Sequence, residues 1–269
     1  MDTTPAKTDD PEALVLREDK NSIATVTLNR PQKFNALSAA LMSVIEDTLA
    51  TIAADASVRV VILAANGKAF SAGHDLKEIG TKITRDEVDA LFHQCSRLML
   101  AITRLPQPVI ARVHGIATAA GCQLAATCDL AVASTEARFA TSGINVGLFC
   151  ATPGVALSRN VPRKKAMEML LTGDFIDAET ALAWGLVNQV VAADDLDNAV
   201  MALASKIADR SPGAISMGKE LFYRQLEGGL DAAYAAAVDT IVCNMIDGEA
   251  REGIEAFVNK QPMPKWRDR

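Results

Sequence analysis

The sequence predicts an α/β fold in which buried strands alternate with helices, followed by a C-terminal region made almost entirely of helices. Residues 58–64 form an apolar run rich in β-branched side chains, interrupted only by Arg59, which is typical of a parallel strand buried on both faces. Segments with helical spacing lie before and after this run, and that alternation favours a sheet with repeated crossovers. With 269 residues, the chain is long enough for one large core and an appended region.

The N-terminal part is predicted to form a hairpin and then a helix. Residues 13–17 and 23–28 are expected to be strands, and residues 19–21 supply the turn between them. Ser38 is a suitable helix N-cap because its hydroxyl can accept a bond from a backbone N–H of the first turn. It precedes a helix over about residues 39–54, where apolar side chains recur at helical spacing.

The middle of the chain continues the alternation. A helix is predicted over residues 85–105, and a second buried strand over residues 109–113. A short helix at residues 122–127 and short strands at 130–133 and 137–140 follow. These elements extend the α/β pattern to about the middle of the sequence.

From about Lys164 the pattern changes to helices with few strands. The expected elements are a short helix within 173–185, a strand at 187–191, and helices at 194–209, 212–227, 229–245 and 247–260. The apolar faces of these alanine-rich helices are too extended for a free-standing bundle. We therefore expect an oligomer interface in this region.

Charge and composition narrow the classes of function. The formal net charge is −6, whereas a general nucleic-acid binder carries a basic excess. A polyanionic small ligand would therefore need a local cluster of lysine or arginine. The five cysteines show no CxxC spacing, so reduced, buried thiols are expected. The histidines lack metal-ligand spacing, so no metal site is expected; they are His74, His93 and His114.

The sequence gives no sign of membrane insertion or targeting. No apolar run is long enough to span a bilayer. The first ten residues carry three aspartates and no apolar run, unlike a secretory signal or an arginine-rich transit peptide. By default, a cytoplasmic protein without membrane or nucleic-acid partners is expected.

Two loops that join a buried strand to a helix are rich in small residues. They are residues 68–76, KAFSAGHDL, and residues 114–123, HGIATAAGCQ. Small residues let the backbone lie against a ligand, and the second loop opens a helix whose unpaired N–H groups attract negative charge. Two such N–H groups aimed at one point would form an oxyanion hole. Such turns also occur for packing alone, so each loop by itself leaves both interpretations open.

Taken together, the motifs resemble the enoyl-CoA hydratase/isomerase (crotonase) superfamily along nearly the whole chain. The matching segments are NRPQKFNAL at 29–37, AFSAGHDL at 69–76, GIATAAGCQLA at 115–125, CDLA at 128–131, LTGD at 171–174, AWGLV at 183–187 and EGIEAF at 252–257. The resemblance is strongest to one subgroup, the enoyl-CoA hydratase domain-containing protein of the third type.

The resemblance implies a spiral of ββα units followed by a helical trimerisation region. Residues 1–12 would then be a flexible tail, 13–205 the spiral core, and 206–269 the helical oligomerisation region. Homotrimers, or trimers paired into hexamers, would follow. The substrate would be an acyl-CoA in fatty acyl-CoA metabolism, and coenzyme A would be part of that substrate rather than a permanently bound cofactor.

The resemblance also implies roles for individual residues. It places the two oxyanion N–H groups on His74 and Ala120, where Ala120 replaces a usual glycine. The residues at coenzyme A-contacting positions are Lys33, Ala36, Ala72, Asp75, Leu76, Lys77, Phe257 and Lys260. The lysines among them would supply the local positive charge that the whole chain lacks, although each could equally be a solvated surface charge.

The sequence departs from the family pattern at both acid–base positions. A hydratase of this family uses two glutamates, which would stand at Gln123 and Gly143. General acid–base groups each contribute roughly 10²–10⁴-fold, so ordinary hydration is expected to be impaired. The isomerase variant relies on a carboxylate at the second position, which is Gly143 here.

Several side chains are candidates to replace the missing glutamates. The His74 ring could move a proton, because histidine titrates near neutral pH, or it could only shape the acyl pocket. His93 and Gln123 could also enter the site, whereas His114 is expected to be a packing residue. Ser142 and Asn145 could bond substrate or cap their loop, and Cys122 is not expected to act as a nucleophile.

Three functions remain open from the sequence. The first is a lyase or isomerase of the enoyl-CoA hydratase/isomerase family that acts through a stabilised thioester oxyanion. The second is a non-catalytic scaffold that binds or senses acyl-CoA. The third is a purely structural oligomer partner, which would leave the two small-residue loops unexplained.

Overall fold

The computed structural model describes residues 13–80 and 84–267. The predicted N-terminal tail, residues 1–12, lies outside the described residues. Within them, the chain forms two sheets surrounded by helices and ends in a run of helices.

Ten strands are assigned within the described residues, and most neighbours are parallel. In chain order, β1 to β10 are Val15–Lys20, Ile23–Leu28, Val60–Ala65, Ala69–Ser71, Val109–Val113, Ile116–Thr118, Leu130–Ser134, Arg138–Ala140, Ile176–Asp177 and Gln189–Val191. They form a six-stranded sheet in the order β1-β2-β3-β5-β7-β10 and a four-stranded sheet in the order β4-β6-β8-β9. Only the pairs β1–β2 and β8–β9 are antiparallel among these strands.

The chain alternates between the two sheets, and this produces the spiral. β3 is followed by β4, β5 by β6 and β7 by β8, with the first strand of each pair in the large sheet and the second in the small one. Every residue of β3 is buried, as expected for a parallel strand covered on both faces. The predicted fold class, a crotonase-type spiral with a helical C-terminal region, is confirmed.

Eleven α-helices connect and cover the strands within the described residues. In chain order, α1 to α11 are Ala39–Ala53, Leu76–Ile79, Arg85–Arg104, Ala120–Thr127, Ala151–Asn160, Arg163–Thr172, Ala178–Ala183, Leu196–Ala208, Pro212–Leu226, Leu230–Ile246 and Gly248–Val258. Ser38 caps α1 as predicted, because its hydroxyl oxygen accepts a 3.1 Å bond from the Leu41 N–H.

Several local features differ from the predictions, and three of them have a clear physical reason. The first turn is at Asn21–Ser22, not residues 19–21, since both residues adopt positive φ and form a two-residue hairpin turn. Helix α5 was not predicted; Pro153 lies in its first turn, where a missing N–H breaks no helical bond. Strand β6 has three residues and is recognised only through its pairing with β4 and β8.

The core fills both faces of the large sheet. On one face, Ile23, Val60 and Ile110 pack against Leu196 and Val200 of α8. The other face belongs to a larger cluster that includes α1, α3 and α4. Helix α8 covers the sheet and ends at Ala208, so it runs across the expected boundary at 205/206 between the spiral core and the oligomerisation region. That boundary stays a prediction.

The C-terminal helices expose an unusual amount of apolar surface. Helix α10 has no buried residue in the single chain. Large apolar side chains that are exposed on α9 and α10 are Phe222, Leu226, Leu230, Tyr234, Val238, Ile241, Val242, Met245 and Ile246. A contiguous apolar surface of this kind is typical of a protein interface.

Candidate active site

The two small-residue loops lie against each other. Strands β4 and β6 are parallel neighbours, so the loops that follow them leave the same edge of the small sheet. A Cβ added to Gly73 would stand 3.0 Å from the Ala120 nitrogen. A Cβ added to Gly121 would stand 2.1 Å from the Ser71 carbonyl oxygen. The close packing of backbone on backbone therefore requires glycine at both positions.

The N–H group of His74 has no acceptor among the described residues. The Leu37 N–H donates to the Gly73 carbonyl over 2.7 Å, and the Asp75 N–H donates to the Leu37 carbonyl over 3.3 Å. These bonds form a parallel bridge between Leu37 and His74. Because the bridge uses the peptide groups on either side of His74, its own N–H points away from Leu37.

The N–H group of Ala120 is likewise without a bonded acceptor in the described part of the chain. Ala120 is the first residue of α4, where N–H groups have no partner within the helix. Ala119 precedes it at φ 51° and ψ −122°, a conformation that favours glycine. The Ala119 N–H donates to the Ala140 carbonyl over 3.0 Å, which helps to hold this strained turn.

A buried asparagine, which the sequence did not single out, holds the first loop. Asn35 is fully buried, and its amide nitrogen donates to the carbonyls of Asn66 and Ala69 over 2.8 Å each. Its side-chain oxygen accepts from the Arg30 N–H over 2.9 Å. Its backbone carbonyl accepts from the Ser71 hydroxyl. Its motif NRPQKFNAL was recognised, but the function of this residue depends on partners distant in sequence.

Arg30 is a second positioning residue that the sequence did not reveal. Its guanidinium donates to the Ala36 carbonyl over 2.7 Å and lies 3.2 Å from the Asp75 carboxylate. Asp75 also caps α2 by accepting from the Lys77 N–H. The carboxylate of Asp75, expected at coenzyme A, is therefore engaged in holding the loop that carries His74.

The two acid–base positions have different environments. Gln123 is buried on α4, and its Oε1 lies 3.9 Å from the Cys95 sulfur. At Gly143, an added Cβ would stand 2.6 Å from the Leu148 carbonyl oxygen and 2.8 Å from the Cys150 sulfur. The Gln123 position already holds a side chain of the length of glutamate, whereas the Gly143 position is closed by the turn that follows it.

That turn brings further polar groups to the edge of the site. The Ser142 and Thr118 hydroxyls are 2.7 Å apart, and the Leu148 N–H donates to the Gly143 carbonyl. Burial raises the pKa of the Cys122 thiol to about 12, so it is protonated at neutral pH. The Asn145 side chain lies beside Gly173 instead, and a Cβ there would stand 2.8 Å from its oxygen.

The His74 imidazole packs against α3. Its ring lies edge to face with Phe92, with a centroid separation of 5.1 Å. Both ring nitrogens are buried and neither has a hydrogen-bond partner. Burial lowers the pKa of His74 below 6.5, and the nearby Leu37 backbone offsets only part of this effect. The ring is therefore neutral at neutral pH.

The other two histidines have partners of their own. His93 is 69% exposed and pairs with Asp89 on the outer face of α3. The possibility that His93 enters the pocket is therefore not supported, and Phe92 takes that place. A ring nitrogen of His114 lies 2.9 Å from the Gly67 carbonyl oxygen, which agrees with the packing role expected for it.

The predicted coenzyme A residues fall into two groups. Ala36, Ala72 and Asp75 lie beside the first loop, and the neighbouring side chains Lys33, Leu76 and Lys77 are exposed. Phe257 and Lys260 are exposed at the end of α11. Among the described residues, no hydrogen bond or ion pair joins this end of α11 to the first group.

A separate polar cluster joins α9 to the opposite edge of the large sheet. Asp129 accepts from the Val109 N–H over 2.7 Å, from Lys219 over 2.6 Å and from the Tyr223 hydroxyl over 2.8 Å. Lys219 also donates to the carbonyls of Ile102 and Gln107. A cavity of about 280 Å³ adjoins this cluster. Because each polar group is already paired, the cluster fixes α9 rather than forming a reactive site.

Metal binding and membrane insertion receive no support within residues 13–80 and 84–267. No group of three or more histidine, cysteine or acidic side chains is placed there to hold a metal ion. None of the helices in these ranges combines the length and hydrophobicity needed to cross a bilayer.

Comparisons with known proteins indicate the same family as the sequence motifs. A family model described as enoyl-CoA hydratase/isomerase matches residues 18–269. A human relative, named enoyl-CoA hydratase domain-containing protein 3, mitochondrial, is 46% identical over 246 residues, which cover 91% of this chain and 81% of that protein.

The chain is also similar to solved structures of proteins named as enoyl-CoA hydratases or as carrying an enoyl-CoA hydratase domain. The crystal structure of an enoyl-CoA hydratase from Mycobacterium smegmatis is 57% identical, with a TM-score of 0.93 and coverage of 94% of this chain and 99% of that chain. The crystal structure of the human domain-containing protein 3 is 44% identical, with a TM-score of 0.91 and coverage of 94% and 100%. The resemblance inferred from the motifs, including the subgroup, is confirmed.

The expected cytoplasmic location is contradicted by these comparisons. Matching relatives from Danio rerio, Xenopus laevis, Rattus norvegicus, Mus musculus and Homo sapiens are each named mitochondrial. The expectation rested on the absence of targeting features, and such an absence carries little information about location.

Proposed function

The chain belongs to the enoyl-CoA hydratase/isomerase family, and on this premise we propose that it binds an acyl-CoA thioester and polarises its carbonyl with the N–H groups of His74 and Ala120. One observation carries the proposal. The loops that bear these two groups pack backbone to backbone, and neither N–H is bonded elsewhere among the described residues. Preorganised N–H donors stabilise the negative charge that develops on a thioester oxygen.

Coenzyme A would extend from the first loop toward solvent. The exposed lysines Lys33 and Lys77 flank this loop and supply positive charge for its phosphates. Ala36 and Ala72 are small enough to let the ligand approach the backbone. Phe257 and Lys260 would join this subsite from α11.

The proposed assembly is a homotrimer or a homohexamer. The exposed apolar side chains of α9 and α10 require a covering surface, and burying about 1,000 Å² or more is typical of a specific interface. Such an assembly would also allow an α11 from another copy to approach the first loop. Analytical ultracentrifugation distinguishes a monomer from the proposed states.

The reaction would be one that proceeds through an oxyanion or enolate, as expected of a lyase or isomerase. Hydration by two carboxylates is disfavoured, because Gln123 cannot take up a proton at neutral pH and Gly143 has no side chain. The same substitutions favour the second candidate function, a scaffold that binds or senses acyl-CoA without turnover.

Replacing Ala120 with proline tests the proposal. Proline is tolerated at the first position of a helix; it removes the N–H in question and places a ring carbon where that hydrogen stood, so it also excludes the carbonyl oxygen from this side. We expect turnover of the enoyl-CoA or acyl-CoA that the wild-type protein converts to fall roughly 10²–10³-fold, while affinity for free coenzyme A, measured by calorimetry, is kept. A panel of longer enoyl-CoA and saturated acyl-CoA substrates identifies the reaction.

The matched control is Arg163→Pro, at the exposed first residue of α6. This variant should keep the wild-type rate. Turnover that survives Ala120→Pro would refute the role of this N–H. Tight binding without turnover of any thioester would favour the scaffold, and failure to bind any coenzyme A ester would reject both functions.

A further inference from the structure

The ring nitrogens of His74 are buried, and neither meets a partner at full hydrogen-bond geometry within the described residues, although the Leu37 backbone lies close enough to favour the charged ring. Nearly all buried polar atoms in proteins are hydrogen-bonded, so an exception calls for an ordered water, a ligand or a catalytic role. The four side-chain atoms of this kind in the described residues belong to His74, Gln107 and His114. Of these, His74 alone also carries one of the proposed carbonyl-binding N–H groups.

The ring has few titratable neighbours. On its own loop, the Asp75 carboxylate is paired with Arg30 and the Lys77 N–H. Helix α3 presents Phe92 to the ring, and one turn further along it presents the Cys95 thiol to Gln123 of α4. Burial, with Glu46 nearby, raises the pKa of Cys95 to about 11. The bridge strand contributes the backbone of Leu37.

Other candidates at the site are poor bases. Gln123 is a carboxamide and Gly143 has no side chain. The Cys122 thiol is fully buried, with its pKa raised to about 12, and burial also raises the pKa of Cys150. A neutral imidazole, by contrast, holds an available lone pair at neutral pH.

We propose that the His74 ring removes a proton from C2, the carbon next to the thioester carbonyl, of a saturated acyl-CoA and returns it. This inference rests on the proposed function and adds a proton-transfer residue and a substrate class to it. The C2–H bond breaks and an N–H bond forms on the ring. The electron pair moves into the C1–C2 bond, and the carbonyl oxygen becomes an enolate oxygen held by the two N–H groups. Reversal restores the thioester.

Connectivity supports the choice of C2. The ring and the N–H that would bind the carbonyl oxygen belong to the same residue, so the reach of the ring covers only the first carbons of the acyl group. The activity would be exchange of a C2 hydrogen with solvent. On an acyl-CoA with a stereocentre at C2, the same step would allow the configuration to change.

The test is deuterium exchange in D₂O with the full-length protein and butyryl-CoA, followed by mass spectrometry. We expect deuterium at C2, and a loss of roughly 10²–10⁴-fold in the exchange rate for His74→Gln and His74→Ala with butyryl-CoA affinity retained. His93→Gln is the matched control, since this histidine is exposed on the far side of α3, and it should exchange at the wild-type rate.

The wild-type pH profile provides a readout that needs no variant. Exchange by the neutral ring should be independent of pH above 6.5 and fall in acid below the lowered pKa of His74. A rate that keeps rising about tenfold per pH unit through pH 8 would point to a thiol or to hydroxide and overturn the inference.

The remaining outcomes separate this inference from the proposed function. Wild-type protein that binds butyryl-CoA without exchange, or His74→Gln that exchanges normally, would overturn the inference alone. Protein that binds no acyl-CoA would overturn both.

Discussion

The proposed carbonyl-binding half of the candidate site and its proposed acid–base half are built differently. The first consists of the loops around His74 and Ala120, and its proposed donors are backbone N–H groups on loops held together by glycine contacts. The second consists of Gln123 and the turn at Gly143, where neither residue is a carboxylate. A donor built from backbone persists as long as the chain folds, whereas a donor built from a side chain can be lost by one substitution.

The strongest way to break this comparison is to separate the two loops. Gly121→Ala would place a Cβ 2.1 Å from the Ser71 carbonyl oxygen, with backbone on both sides. We expect a loss of more than about 3 kcal/mol in the free energy of unfolding, measured by chemical denaturation. Gly218→Ala on α9 is the control, since its Cβ would meet nothing within 4 Å, and it should be neutral or slightly stabilising. Equal stabilities for the two variants would show that the loops are not tightly packed.

Restoring the carboxylates one at a time sharpens the comparison. Gly143→Glu should cost about 1–3 kcal/mol of stability and give no hydration of crotonyl-CoA, because its Cβ would stand 2.6 Å from the Leu148 carbonyl oxygen. Gln123→Glu has nearly the same volume and should fold with a smaller loss. Denaturation curves and a crotonyl-CoA hydration assay measure both effects. Hydration gained by Gly143→Glu alone would mean that this turn opens readily.

The smallest expected effect is the pH dependence that the neutral histidines impose on stability. Burial lowers the pKa of both His74 and His114 below the model-compound value of 6.5. The unfolded chain therefore binds more protons as the pH falls below 6.5, and the free energy of unfolding decreases there, at up to about 1.4 kcal/mol per pH unit for each histidine. Above 6.5 this contribution is fully present.

Denaturation at pH 7.5 and pH 5.5 measures this loss. His74→Gln and His114→Gln should each reduce the difference between the two conditions. His93→Gln should leave it unchanged, because this histidine is exposed. A wild-type protein that is equally stable at both values would contradict the buried, neutral state of the two rings.

Sequence patterns predicted the long elements well, because burial leaves a periodic trace. The strand at 109–113 has its predicted bounds, and α3 ends one residue before the predicted limit. Other elements left no such trace. Strand β6 and helix α5 are stabilised by neighbours that are distant in the chain, and the two-residue turn at Asn21–Ser22 depends on backbone conformation that composition did not specify.

The sequence by itself determined the family, the small-residue loops and the lack of a carboxylate at Gln123 and Gly143, since these are properties of residue identity at particular positions. Only the tertiary structure decided that Gly73 and Gly121 bring the loops together, that Asn35 and Arg30 hold them, and that the Gly143 position is closed. It also decided that the His74 ring is buried without a partner while His93 is exposed. Each of these features is a distance between atoms far apart in the chain, which residue identity alone does not specify.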